Sequence, residues 1–344
     1  MNNTMNATPI RLGLTYDLRD DYLKMGYSEL ETAEMDQAST IESLSYTLSQ
    51  LGYAVDPIGH VKQLATRLVA GDRWDMVFNI CEGMHGIGRE AQVPALLDAY
   101  QIPHVFSDTL VCALTLHKGM TKDVVRAAGV PTPDYVVVHS LADLEKIDLS
   151  YPLFAKPVAE GTGKGVSADS KILNVKQLQR VCKKLLKQFQ QPVLVERFLP
   201  GREFTVGIVG SGADAQAVGA MEIQLQAGAD CEVYSFHNKE NWQQLVRYQL
   251  LEAGPLRAEA EAVALAAWRA LGCRDGGRID VRADDNGLVN FIEVNPLAGI
   301  HPTYSDLPIM NAMAGNSYEH LLGRIMQSAL QRLVKVQPAK AAAA

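Results

Sequence analysis

Apolar and polar positions alternate in short runs through the first hundred residues, and the period of the alternation keeps changing. Residues 10–16 read as a strand, Ser39 with Glu42 forms a capping-box pattern predicting a helix ended by Gly52, and residues 53–58 are strand-like again. Residues 61–70 have helical spacing and close at Gly71. The apolar runs 76–80 and 103–106 predict two more strands around a helix ending near Tyr100. Strand and helix in alternation predict βαβ architecture for residues 1–106. Such sheets place ligands beyond the carboxyl ends of their strands, which marks the loops 16–34 and 81–89 as functional.

Beyond Ser107 the pattern changes. A helix over 118–128, a turn at 129–133, strands at 134–138 and 153–157, a helix over 175–189 and a strand at 192–198 predict a second unit, 107–199. Pro200-Gly201 is the expected hinge into a third unit, 200–335, with strands at 204–209, 216–224, 277–283 and 288–294 and a helix over 258–271. Residues 336–344 have no periodicity and read as a tail. No internal repeat is visible.

Composition narrows the function classes. At 344 residues with 47% apolar and 21% charged side chains, the chain is globular and too long for one compact core. The formal charge is −7 and no Lys/Arg block forms a nucleic-acid or anionic-membrane footprint, so neither is an expected partner. No signal peptide and no membrane-spanning apolar run is visible, which makes a cytoplasmic location the expectation. The five cysteines lack any C-x-x-C pair, which argues against a disulfide framework or a zinc site.

Three segments carry chemistry. In residues 272–296, GCRDGGRIDVRADDNGLVNFIEVNP, Asp280 ends one β-like run while Glu293 and Asn295, two apart, share one face of the next. That is a hard oxygen set suited to Mg²⁺. An exposed acidic strand end is the bland alternative; Phe291, Ile292 and Val294 make the strand a buried one, and buried carboxylates need partners. Lys156 lies on an apolar strand just before EGTGKG, where small residues let backbone N–H groups close over phosphate oxygens. Alone, such a loop is more often a flexible hairpin, and neither the dinucleotide fingerprint nor the Walker pattern fits. The third segment ends an apolar strand at Glu196, with Glu203 past the hinge. Carboxylates at such a junction suit an adenine amino group and ribose hydroxyls; taken singly, each is more often a solvated surface acid.

Together, LHKGMTKDVV (116–125), FAKPVAEGTGKG (154–165), VLVERFLPGREFTVGIVG (193–210) and residues 272–296 resemble the D-alanine:D-alanine ligase branch of the ATP-grasp enzymes. The resemblance runs in order from about residue 76 to 330 and is most specific for the ATP and metal half of the site. It implies an α/β fold, α+β in the ATP-grasp domains, with an N-terminal Rossmann-like domain. It also implies that ATP phosphorylates a carboxylate before an amine displaces the phosphate. The cofactors implied are ATP and two Mg²⁺ ions, with Mn²⁺ able to substitute; the partners are small carboxylate and amine substrates, and the assembly a homodimer. By the same resemblance Lys118, Lys156, Glu160, Gly161 and Gly163 hold phosphates together with Thr162 and Lys239. Glu196, Arg197, Phe198, Leu199 and Glu203 hold adenine and ribose; Asp280, Glu293 and Asn295 ligate metal; Arg278 stabilises the oxyanion.

The substrate half departs from the family pattern. The first loop, residues 15–40, is long, with Asp36 and Ser39 as counterparts of the family's substrate contacts. Glu82-Gly83 replaces a His-Gly, Glu240 replaces a Tyr after the lid lysine, and Thr162-Gly163-Lys164 replaces a pair of serines. NPLAGIHPTYSDLP leaves Gly299, Ser305 and Asp306 on the substrate side, Ser305 as carboxylate anchor and Asp306 where the family is apolar. Residues 160–166 and 227–242 are expected to be lids. These departures predict a carboxylate-amine ligase with substrates other than two D-alanines. A true D-alanine:D-alanine ligase and a non-catalytic ATP-binding module are the alternatives, the second weakened because Arg278, Asp280, Glu293 and Asn295 are all present.

Overall fold

The structure is a computed structural model and describes residues 9–226 and 242–336. Three strands, β1 (Arg11–Thr15), β2 (Ala54–Gly59) and β3 (Met76–Asn79), form a parallel sheet in the order β2-β1-β3. Central β1 is covered on both faces, so its consecutive residues Leu12 to Thr15 are all buried. Helix Val61–Val69 starts with a reciprocal cap: His60 Nδ1 accepts from the Lys62 and Gln63 N–H groups, and the Gln63 side chain accepts from the His60 N–H at 2.8 Å.

Two expectations for this region fail. Helix Ala38–Gln50 begins one residue before Ser39, with Gln37 as an N-cap that makes no side-chain hydrogen bond. Ser39 therefore lies inside the first turn, where it cannot cap. Residues 103–106 touch β3 through a single bridge, Val77 to His104, because Phe106 adopts φ 73° and turns the chain away from the sheet.

The second sheet, β4 (Tyr135–Val138), β5 (Leu153–Pro157), β6 (Lys171–Ile172) and β7 (Val193–Arg197), is antiparallel with order β4-β7-β5-β6. Helix Val175–Phe189 covers it with Leu178, Val181, Cys182 and Leu185, a spacing that keeps one face apolar, and Asn174 caps its start. The third sheet, β8 (Glu203–Val209), β9 (Gln216–Leu225), β10 (Val246–Leu250), β11 (Gly276–Ala283) and β12 (Val289–Asn295), has the order β10-β9-β8-β11-β12.

Helix Pro255–Leu271 packs its small face and Trp268 on this sheet, joined by Val111 and Val125 from helices Thr109–Leu116 and Lys118–Ala127. The last helix, Tyr318–Val336, returns to the first sheet and packs Leu321, Ile325 and Met326 with Leu12 and Phe78. Buried Asp275 fixes that return, accepting from the Phe106 N–H at 2.8 Å, Ser328 at 2.9 Å and Arg332 Nε at 3.0 Å. Among the described residues no helix is long and apolar enough to cross a membrane.

Candidate active site

Strands β11 and β12 pair Asp280 with Glu293 and Arg278 with Asn295. Directly opposed residues of an antiparallel pair share a face, so all four side chains project into one cleft. Arg278 Nη1 lies 2.6 and 2.7 Å from the two Asp280 oxygens and 3.5 Å from Asp306. Asn295 Nδ2 donates to Asp280 at 3.3 Å. The sequence-predicted metal set is thus assembled, two carboxylates and an amide on paired strands.

Facing it, β5 and helix Lys118–Ala127 bring up lysines. Lys156 Nζ sits 3.1 Å from Glu293 and 3.5 Å from Glu196, and Lys118 Nζ 3.8 Å from Glu293, donating also to the Glu160 carbonyl at 2.6 Å. Burial lowers the Lys118 pKa against the pull of Glu293. Burial acts on Lys156 too, but Glu293 and Glu196 outweigh it and raise its pKa. Lys122, absent from the sequence-based site, lies fully buried 2.8 Å from Glu196. Each oxygen of the Glu196 carboxylate, expected at adenine, therefore faces a lysine.

Lys118, Lys156, Glu196 and Glu293 border an open cavity between the second and third sheets, lined also by Phe198 and Leu199 and, at its far edge, by Glu203 paired with Arg282 at 3.0 Å. Arg197 also lines it, with a side chain exposed to solvent. The Gly-rich loop forms one wall. Thr162, Gly163 and Gly165 have φ 52°, 71° and 78°, a left-handed run that curls the backbone. Glu34, from the first long loop, accepts from the Gly161 N–H, from Arg89 at 2.8 Å, and stands 3.3 Å from Lys164. A side chain at Gly161 would collide with it. Burial raises the Glu34 pKa, but Arg89 and Lys164 overcome that and hold it low.

A second, larger cavity, open to solvent, adjoins the first and shares Lys118, Glu160 and Glu293 with it. Arg278, Asn295, Gly299, Ser305 and Asp306 line one side, and Asp36, Glu82 and Glu90 another. Ser305 Oγ accepts from the His301 N–H at 3.0 Å, and a side chain at Gly299 would meet that hydroxyl. The two loops marked by the parallel sheet converge here: Asp17 accepts from the Gly83 N–H at 2.8 Å and from the Tyr22 hydroxyl. Burial, with the Asp17 charge adding to it, pushes Asp36 up to about 7.

Two further differences from expectation concern this cavity. Ser39 is exposed and does not line it; the hydroxyl beside Asp36 is buried Thr40, which also meets Tyr304 Oη at 3.1 Å. Glu82 is not a simple charged wall, because burial, then Glu90 and Glu34, raise its pKa well above the usual carboxylate range. Lys239, Glu240 and the expected lid at 227–242 lie outside the described residues except for Trp242. Glu34, Arg89, Glu90 and Lys122 were not singled out in the sequence. Only Lys122 carried a sequence signal, its helical spacing from Lys118.

Residues 124–327 match the family model described as D-ala D-ala ligase C-terminus. The D-alanine--D-alanine ligase of Actinobacillus pleuropneumoniae is 34% identical over 292 residues, 83% of this chain and 90% of that protein. Among solved structures, the D-alanine--D-alanine ligase of Bacillus anthracis complexed with ATP superposes with TM-score 0.70 at 21% identity, covering 94% of this chain and 98% of that one. The VanG D-Ala:D-Ser ligase of Enterococcus faecalis gives TM-score 0.72 at 20% identity, covering 93% and 99%.

Proposed function

This chain belongs to the D-alanine--D-alanine ligase family, ATP-dependent and ADP-forming amide-bond ligases of ATP-grasp fold that use magnesium; from that premise we propose that it joins a carboxylate to an amine in a pocket built for substrates other than two D-alanines. The observation that carries this reading is the junction of the two cavities at Lys118, Glu160 and Glu293. There a nucleotide phosphate in the first cavity meets a carboxylate in the second.

The donor carboxylate attacks the γ-phosphorus, the bond to the β,γ-bridging oxygen breaks, and ADP leaves an acyl phosphate. The amine then attacks the carbonyl carbon, forming the C–N bond as inorganic phosphate departs and the amine proton passes to solvent. Lys118, Lys156 and the curled backbone at 161–165 hold the phosphates; Arg278 faces the developing oxyanion. Asp280, Glu293 and Asn295 offer the hard oxygen atoms that magnesium prefers, and two ions are proposed there. Bound there, magnesium supplies positive charge to the phosphate oxygens. The latch from Glu34 to Gly161 keeps water from the acyl phosphate. A homodimer in the cytoplasm completes the proposal.

The relatives' names favour the rival reading, a ligase of D-alanine with itself. Against it stands the make-up of the second cavity, where Asp36, Glu82 and Glu90 gather on one wall and offer no positive charge to a substrate carboxylate. An ATP-dependent phosphate-release screen over D- and L-amino acids, alone and in pairs, with mass spectrometry of the products, decides. A kcat/KM for D-alanine alone as high as for any other substrate would overturn the non-standard pocket.

A further inference from the structure

Most acids lining the second cavity have a cation of their own. Glu34 holds Arg89 at 2.8 Å, Glu160 holds Lys164 at 2.7 Å, Glu293 holds Lys156 at 3.1 Å, and Asp306 lies 3.5 Å from Arg278. Arg19, at the cavity edge, is engaged through Nη2 by Glu29 at 2.6 Å, while its buried Nε has no hydrogen-bond partner among the described residues. What is left over is Asp36, Glu82 and Glu90, and among the described residues none of the three has a cationic side chain within 4.0 Å.

Glu90 is the most telling of them. It is 9% exposed, lines the cavity from the turn Arg89–Ala91, and accepts no side-chain hydrogen bond among the described residues. Its neighbour Arg89, the obvious neutraliser, is turned away, with Nη1 on the Ala159 carbonyl and Nη2 on Glu34, both at 2.8 Å. A carboxylate enclosed this far without a partner is costly, and such groups are kept where a ligand completes them.

The sign and shape of the missing ligand follow. At this wall an anion finds no positive partner, since the three acids offer it none. A bare metal ion fits poorly, since among the described residues no three of these acids converge closely enough to share one. A plain α-amino acid brings a single ammonium, which one carboxylate suffices to hold, whereas this wall presents three.

We propose that one of the two substrates is dibasic, an amino acid or amine carrying a second ammonium or a guanidinium, and that this distal cation seats on Glu82 and Glu90 with Asp36 beside them. The proposal rests on the ligase reading above. Gly83, held to Asp17 and with φ 72°, fixes the loop that presents Glu82, so the seat is preformed. Burial, reinforced by Glu34 and opposed by Arg89 and Lys118, pushes Glu90 up to about 7; an arriving cation draws that proton off.

The test is steady-state phosphate release by the full chain with ATP and Mg²⁺, using matched pairs: lysine against norleucine, arginine against citrulline, both enantiomers, and 1,4-diaminobutane against butylamine as amine acceptor. In at least one pair the charged member should exceed its neutral isostere by about 10-fold or more in kcat/KM. In the double variant Glu82→Gln, Glu90→Gln that ratio should fall towards one, and in Glu90→Lys it should invert. Near-ultraviolet circular dichroism checks that the variants are folded; the wild-type comparison needs no variant. Neutral compounds used as well as or better than charged ones would overturn the dibasic substrate and leave the ligase standing. No ATP consumption with any compound, charged or neutral, would overturn both.

Discussion

The two cavities share Lys118, Glu160 and Glu293, yet they dispose of charge in opposite ways. On the nucleotide side Glu196 faces Lys122 and Lys156, Glu203 faces Arg282, and Asp280 faces Arg278. On the substrate side Asp36, Glu82 and Glu90 are gathered behind the ends of β1 and β3 with no cation against them among the described residues. A site balanced within itself serves a ligand that carries its own counter-ions, as a magnesium nucleotide does. An unbalanced one waits for the substrate to supply the charge. The first can be common to a family; the second decides what a particular member joins.

The largest expected effect breaks the balanced side. Glu293→Gln or Asp280→Asn should lower turnover by roughly 10³-fold while leaving the fold intact, because each removes a carboxylate from the proposed magnesium set. Phosphate-release kinetics on both purified variants measure this, and removing magnesium with a chelator should reproduce the loss in the wild type. Near-normal turnover in both would remove the metal assignment. Next in size, Arg278→Ala should lower kcat by about 10²-fold with a smaller change in the KM for ATP, since its interaction strengthens as the oxyanion develops. A change confined to the KM for ATP would make Arg278 a ground-state contact.

A smaller effect tests what joins the two sides. Glu34 gathers Arg89, Lys164 and the Gly161 N–H, tying the Gly-rich loop to the first sheet's long loop. Removing one partner of a buried ion network strands the others. Glu34→Ala should therefore destabilise the protein by about 3 kcal/mol and raise the KM for ATP, read by denaturant unfolding and by kinetics. Unaltered stability would mean the loop is held elsewhere.

This contrast also explains what the sequence could reveal. Local patterns carried the strands and the helix Val175–Phe189, whose apolar spacing and Asn174 cap are intrinsic to the segment. Asp280, Glu293 and Asn295 were legible because a two-strand hairpin fixes which residues oppose one another. Residues 103–106 look like a strand by composition, but tertiary contacts select a turn at Phe106 instead. Helices Asp306–Met313 and Tyr318–Val336 were not anticipated, nor was β10, whose alternating exposure follows only from pairing with β9. Glu34 and Glu90 stayed hidden for the same reason. Their roles come from loops 55 residues apart, Glu34 and Arg89, meeting across the cleft, and no spacing rule encodes that encounter.

The smallest effect sharpens the unbalanced side through pH. Glu90, pushed up to about 7 mainly by burial, has its folded pKa above the unfolded carboxyl value of about 4.3. A carboxyl shifted upward contributes stability that is fully present below the unfolded pKa and is lost as pH rises through the folded one. Wild-type protein without substrate should therefore lose stability between about pH 4 and pH 8, whereas Glu90→Gln, which cannot ionise, should lose less. Their melting temperatures should be closest near pH 4 and diverge by a few degrees at pH 8, the variant being the more stable. A dibasic substrate should close that gap at pH 8 by raising the wild type more than the variant, since the cation favours the ionised form that burial disfavours. Thermal unfolding of both proteins across this range, with and without lysine, reads the sign directly. A wild type more stable than Glu90→Gln at pH 8 without ligand would mean that the carboxylate already has a partner, and the asymmetry between the two cavities would lose its strongest member.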